Sequence, residues 1–404
     1  MTALSSCQPN ALSVESGQAD GPLAVRVALL VNMISPYELP VLTELSRRVA
    51  KLTVLVSTPM ESNRNWRPDF GSLDVRVQRT WTWQGTWRHA TGFRDRQFVH
   101  FPWDTFAQLR SLRPDAILSY ELGFRSASSA LYRVTHNHTR LVLRAALSEH
   151  TERGRGLLRR LLRHWLIRRA DAFAVNGTSA ARYLQTMGCA PRRTFHVPYV
   201  AIETSLYHGP PTRSGAAAHR LIYVGQLVER KGILPFTERL VRWAAGHADR
   251  QVEFVIVGSG PLQPALAALP LPANLSLRML GERSAAEMPD VWSEAGILVI
   301  PTLADEWALV VNEAMASGLP VLGSLYSQAV LDLCRDGETG WTFRPDAPHE
   351  VERAIDQAMA ASPQQLDAMR ASARRQVEHL TPGYAAAQLV RAIRCALHPA
   401  RAEP

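Results

Sequence analysis

Residues 301–323, PTLADEWALVVNEAMASGLPVLG, constrain the fold more than any other stretch. The apolar run 296–300 leads in, a short acidic loop follows, a helix runs to Gly318, and a strand at 319–322 starts at once. That order is a βαβ unit, the building block of a parallel sheet. Ligands of open parallel sheets bind beyond the carboxyl ends of the strands, where helix amino ends point. Asp305 and Glu306 stand there, and Glu313 lies further along the helix among alanine, valine, leucine and methionine. A carboxylate in such company is costly without a hydrogen-bonding partner. The ribose hydroxyls of a nucleotide, a backbone group or an arginine would each serve.

The same alternation fills the chain. Strands read at 25–31, 52–57, 116–120, 140–145 and 172–175, then again at 221–224, 252–257 and 275–280, with helices between them. Residues 207–218, YHGPPTRSGAAA, show no periodicity and read as a linker. The expected organisation is a disordered extension at 1–24, a Rossmann-like domain at 25–206, the linker at 207–218, a second Rossmann-like domain at 219–381, and a closing helix with its tail at 382–404. A chain of 404 residues is long enough for two such cores. The fold class is therefore α/β, with two doubly wound domains in series.

The net charge of +9 is uneven: residues 1–218 carry +13 and the remainder −4. This favours an anionic partner for the first half, whether a membrane surface, a phosphorylated acceptor or nucleic acid, over a basic surface with no partner. From Arg153 to Arg169 the sequence RGRGLLRRLLRHWLIRR repeats Leu157, Leu158, Leu161, Leu162, Trp165 and Leu166 at helical spacing, with Arg159, Arg160 and Arg163 opposite. Such a helix either lies on an anionic membrane or turns its apolar stripe to the core, and both readings stay open. Trp66, Trp81, Trp83, Trp87 and Trp103 interleave with arginine and threonine; packing on the core is preferred to stacking on a sugar or base. No window approaches the ~18 apolar residues of a membrane-spanning helix. The first 24 residues lack a signal-peptide pattern, and Cys7, Cys189, Cys334 and Cys395 match no metal-ligand or redox spacing, as expected for free thiols of a cytosolic protein.

Among 45 basic residues only Lys51 and Lys231 are lysine. A lysine kept against that bias marks a place for a compact ammonium. Lys231 ends the loop 225–232, GQLVERKG, between a strand and a helix. There Gly225 lets the backbone approach a ligand, and Arg230 and Lys231 supply the charge a diphosphate needs. The run 258–261, GSGP, reads equally as a tight turn or a phosphate contact. The dinucleotide fingerprint G-x-G-x-x-G follows the first strand of neither domain, which argues against a nicotinamide or flavin enzyme.

Together these residues resemble the retaining glycosyltransferases of two-Rossmann-domain (GT-B) architecture, and most closely glycosyltransferase family 4. Asp305, seven residues and then Glu313 running into EAMASGLPV align with the family's Glu, seven residues, Glu. The resemblance implies two domains facing across a cleft, with the last helix crossing back to the first. It implies Glu313 on the donor ribose, and Asp305 or its neighbour Glu306 on the transferred sugar. Trp307, Ala308 and Leu309 would offer backbone amides to sugar or diphosphate, and Gly225, Arg230 and Lys231 would meet the phosphates, with Gln226 standing where the family carries an arginine. Ser35, Tyr37 and Glu121 are its acceptor or sugar candidates, and the functional histidine of many relatives has no clear counterpart near His150. No Asp-x-Asp occurs, so no metal and no cofactor are expected, the substrate being a UDP- or GDP-sugar. The implied partners are a saccharide or lipid-linked saccharide acceptor and, through the basic helix, an anionic membrane on the cytoplasmic side; nucleic acid is not expected. The alternatives are a sugar-nucleotide epimerase or phosphorylase of the same architecture, and a non-enzymatic protein binding anionic surfaces or nucleic acid.

Overall fold

The apolar runs become strands of two parallel sheets. The computed structural model describes residues 21–61, 68–200 and 215–398. Its first half holds β1 (Leu23–Val31), β2 (Val49–Val56), β3 (Asp74–Val77), β4 (Thr80–Arg88), β5 (Arg94–Pro102), β6 (Ala116–Tyr120), β7 (Arg140–Ala145), β8 (Ala172–Val175) and β9 (Thr194–His196). Its helices are α1 (Glu38–Ser46), α2 (Thr105–Leu112), α3 (Phe124–Thr135), α4 (Leu157–Arg169) and α5 (Thr178–Thr186). The sheet order β3-β2-β1-β6-β7-β8-β9 is parallel throughout and reverses direction of winding between β1 and β6. The hairpin β4–β5 stands apart as its own antiparallel ribbon.

The second half holds β10 (Leu221–Val224), β11 (Val252–Val257), β12 (Leu275–Gly281), β13 (Ile297–Ile300), β14 (Val321–Ser324) and β15 (Gly340–Phe343). Between and after them run α6 (Ile233–Gly246), α7 (Gln263–Ala267), α8 (Met288–Glu294), α9 (Leu309–Ala316), α10 (Gln328–Leu333), α11 (Pro348–Ala360), α12 (Pro363–Val377) and α13 (Pro382–Leu397). The order β12-β11-β10-β13-β14-β15 puts the switch point between β10 and β13, so a crevice opens beyond their carboxyl ends. The loops leaving those strands are the two stretches singled out in the sequence.

Local chemistry fixes the key helix. α9 ends in a Schellman motif: Leu319 N–H donates to Ala314 O at 2.8 Å and Gly318 N–H to Met315 O at 2.9 Å, with Gly318 at φ +75°. That stop is what returns the chain into β14. α13 lays Leu389, Val390 and Ile393, all buried, against α1 and β7–β9 of the first domain. Each such side chain contributes about 1.5–3 kcal/mol of burial. The helix thus binds the end of the chain to its beginning, the crossing implied by the resemblance.

Two expectations need adjusting. β1 begins at Leu23, inside the segment read as an extension, whose residues 1–20 lie outside those described. The part of the linker at 207–214 and Trp66 also lie outside them. Of the remaining tryptophans, Trp81, Trp83 and Trp103 do not pack on the core and are 60%, 46% and 62% exposed, the first two because β4 and β5 pair only with each other; Trp87 is half-buried against Phe93 and Arg155.

Candidate functional site

The crevice of the second domain is built by two loops that press together. Gly232 sits at φ +65° before α6, and a β-carbon there would collide with Pro301 O at the end of β13. Only glycine allows this approach, which aligns Arg230 and Lys231 with the acidic loop. Leu303 N–H and Thr302 Oγ1 both donate to Arg230 O, at 2.9 and 3.1 Å. Lys231 Nζ donates to Asp305 Oδ2, and Arg230 Nη1 lies 3.7 Å from Asp305 Oδ1. Asp305 is buried; burial pushes its carboxyl up, but the charges of Lys231 and Arg230 outweigh that and hold it below the usual carboxylate range.

Glu306 behaves differently. It stays open to the cleft, yet protein closes around its carboxyl; that partial enclosure, with Glu121, Glu152 and Asp305 nearby, pushes it up to about 7. Its carbonyl is gripped from the first domain and from α10: Asn176 Nδ2 donates at 2.6 Å and Gln328 Nε2 at 2.9 Å. Trp307 is buried, with Nε1 donating to Asn312 Oδ1 at 2.9 Å, and Asn312 Nδ2 donates to Tyr199 O at 3.1 Å. Ala308 is the amino cap of α9 and Leu309 its first residue.

Glu313 is buried on α9, and burial raises its carboxyl to about 7. Its partner comes from the other domain: Tyr37 Oη donates to Glu313 Oε1 at 3.0 Å. Tyr37, expected at the acceptor or sugar, therefore stands beside the residue expected at the ribose. Ser35 is taken up by α1, where Glu38 N–H donates to its Oγ at 3.2 Å. Glu121 occupies the first domain's own switch point, accepting from Asn32 Nδ2 at 2.5 Å, with φ +68°. A non-glycine residue held in the left-handed region at a strand's carboxyl end is stored strain of the kind found at functional sites.

Between the domains lies a cavity of about 310 Å³. Arg230, Ala304, Asp305, Glu306, Trp307 and Leu309 form one wall; Trp87, Phe93, Thr151, Arg155 and Tyr199 form the other. Gly225, Lys231, Ala308, Glu313, Ser35, Tyr37 and Glu121 do not line it, although Lys231 reaches it through Asp305. Arg155 lies 3.4 Å from the ring centre of Trp87, a cation–π contact that points the indole into the cleft. The hairpin also touches the basic loop, Arg94 N–H donating to Glu229 Oε2 at 3.2 Å. Sequence reasoning missed Asn176 and Gln328, which carry no local signal, and placed Arg155 in the basic stretch 153–169 rather than at the cleft. His150 stacks on Tyr326 of the second domain at 3.8 Å, and burial lowers its imidazole below the ordinary value.

Residues 218–361 match the model of the family Glycosyl transferases group 1. That match spans most of the second domain. The chain is 27% identical over 233 residues to a protein of Escherichia coli K12 named "Putative colanic acid biosynthesis glycosyltransferase WcaL", covering 53% of this chain and 54% of that one. It is 24% identical over 235 residues to the D-inositol 3-phosphate glycosyltransferase of Corynebacterium glutamicum, covering 54% and 56%. The alignments thus span about half the length of these curated relatives. The crystal structure of Anabaena HepE in complex with UDP superposes with a TM-score of 0.67 at 14% identity, over 91% of this chain and 99% of HepE. The fold is the GT-B architecture. Among the described residues no helix is long and apolar enough to cross a membrane.

Proposed function

We propose that this chain is a retaining, metal-independent glycosyltransferase that moves a sugar from a UDP- or GDP-sugar to a saccharide or lipid-linked saccharide acceptor. The observation that carries the reading is the second domain's switch point, where Lys231, Arg230 and the start of α9 converge on one crevice. Glu313 accepts the ribose hydroxyls, which replace or join the Tyr37 hydroxyl. Lys231 and Arg230, drawn from Asp305 towards the ligand, take the diphosphate charge that grows as the bond to the sugar breaks. Asp305 and Glu306, both on the cavity wall, are the candidates for the sugar hydroxyls, and at Glu306 burial and the nearby acids outweigh the charge of Arg230. The fixed cations and the amino end of α9 supply the charge stabilisation that other glycosyltransferases obtain from a metal. The group 1 match of the second domain and the fold shared with HepE, solved with UDP and with UDP-glucose, support a nucleotide-sugar donor.

α4 supports an anionic membrane as a partner on the cytoplasmic side. Its apolar stripe divides: Leu162 and Leu166 pack on the core of the first domain, whereas Leu157, Leu158 and Leu161 are 69%, 83% and 56% exposed, and Arg163 is buried between Glu152 and Tyr183. The deciding experiment titrates UDP and GDP into wild type, Lys231→Ala and Glu313→Ala, and follows transfer with chelator in excess. Each variant is expected to lose at least about tenfold in nucleotide affinity, since each removes a charged contact. Near-native binding in both, or activity that chelator abolishes and magnesium restores, would refute the assignment.

A further inference from the structure

A second cavity, of about 400 Å³, opens on the first domain at the amino end of α4. Arg155, Arg159, Arg160, Leu157 and Met187 line it together with Glu152. The one acid is already engaged, by Arg163 and, at 3.4 Å, by Arg159. The Arg160 guanidinium has no hydrogen-bonding or ionic partner among the described residues. Three arginines thus face this cavity with one acid among its lining residues, and burial with the neighbouring Arg159 pushes the Arg155 guanidinium down to about 10. Two boundaries of this cavity say which anion. On its outer side Leu157 continues into Leu158 and Leu161, the exposed stripe of α4. On its inner side Arg155 is a shared wall: it also lines the cavity that holds Asp305 and Glu306.

We propose that this second cavity binds the phosphate of a lipid-linked saccharide acceptor, with the lipid along Leu157, Leu158 and Leu161 and the saccharide passing Arg155 into the cavity between the domains. A bulk phospholipid would share the phosphate and the tail but has no group to place beyond Arg155; the wall that the two cavities share at Arg155 favours the acceptor. The inference rests on the glycosyltransferase reading for its saccharide end only, because the phosphate site is built wholly from first-domain residues.

The test uses the full chain and monomeric probes below their micelle threshold: decyl phosphate, decyl glucoside and inorganic phosphate, each titrated calorimetrically. Decyl phosphate is expected to bind at least about tenfold more tightly than either of the others. Arg160→Ala and, separately, Leu158→Asp should each weaken it by about tenfold; both positions are exposed, and thermal melting verifies that the variants fold. Inorganic phosphate binding as tightly as decyl phosphate would reduce the cavity to an anion site and overturn the proposal. So would decyl phosphate binding that both variants leave unchanged, including the case where they lose only adhesion to phosphatidylglycerol vesicles, which would make α4 a membrane contact without an acceptor site. A separate UDP titration keeps the two readings apart: failure to bind UDP counts against the transferase and leaves the decyl phosphate result standing.

Discussion

Glu313 shows what one buried carboxyl does to the pH behaviour of the chain. Its pKa is about 7 when folded against an ordinary 4.5, so between those values the folded chain holds a proton that the unfolded chain has released. Stability from this group is therefore lost as pH rises from about 4.5 through 7, by at most roughly 3 kcal/mol. Glu306 has the same direction, but solvent in the cleft screens it and its share is smaller. Denaturant melts at pH 5, 6, 7 and 8 should show this decline, and Glu313→Gln should flatten it while keeping an acceptor for Tyr37. An unchanged slope in the variant would contradict the burial argument. Glu313 and Lys231 were legible because each broke a local pattern, a charge in an apolar helix and a lysine among arginines. The Tyr37 partner was not, since it lies 276 positions away and only the meeting of two domains creates the contact.

At the scale of elements, the β4–β5 hairpin marks where periodicity stops being informative. TWTWQGTW alternates as any half-buried strand does, and the sequence alone cannot say what covers the tryptophan face. In the structure Trp81 leans on Phe101 across the hairpin and stays largely exposed, whereas Trp87 meets Arg155 and the cavity. The two should separate on mutation. Trp81→Ala is expected to change stability by less than about 0.5 kcal/mol, as exposed positions do. Trp87→Ala removes a wall of the cavity but no contact to Lys231 or Glu313, so the acceptor KM should rise about tenfold with UDP affinity unchanged. Steady-state kinetics paired with UDP calorimetry decides it; an equal loss of UDP affinity would place Trp87 on the donor side instead. The parallel strands followed more readily from sequence, because runs such as FVIV and ILVI are apolar on both faces, the mark of a sheet covered by helices on both sides.

Across the whole molecule the two domains meet through polar groups, and their chemistry sets what an interface mutation does. Gln328 on α10 donates from Nε2 to Leu147 O at 3.0 Å and Glu306 O at 2.9 Å, and its Oε1 accepts from Ala180 N–H at 2.8 Å. Asp332 accepts from Thr178 N–H at 2.9 Å beside it. Gln328 is fully buried, so Gln328→Ala leaves carbonyls and an amide without a partner in a place water reaches poorly, at a cost of about 2–4 kcal/mol. The groups assigned to the nucleotide, Lys231, Arg230 and Glu313, belong to the second domain alone and do not touch Gln328. The proposed transfer, in contrast, has Glu306 opposite Trp87 and Arg155, and Gln328 and Asn176 both donate to the Glu306 carbonyl. The variant should thus bind UDP within about threefold of wild type while kcat falls by about tenfold or more, the signature of an interaction that matters only in the closed arrangement. A fall in UDP affinity as large as the fall in kcat would mean that the first domain is already part of the nucleotide site, with Tyr37 as its contact.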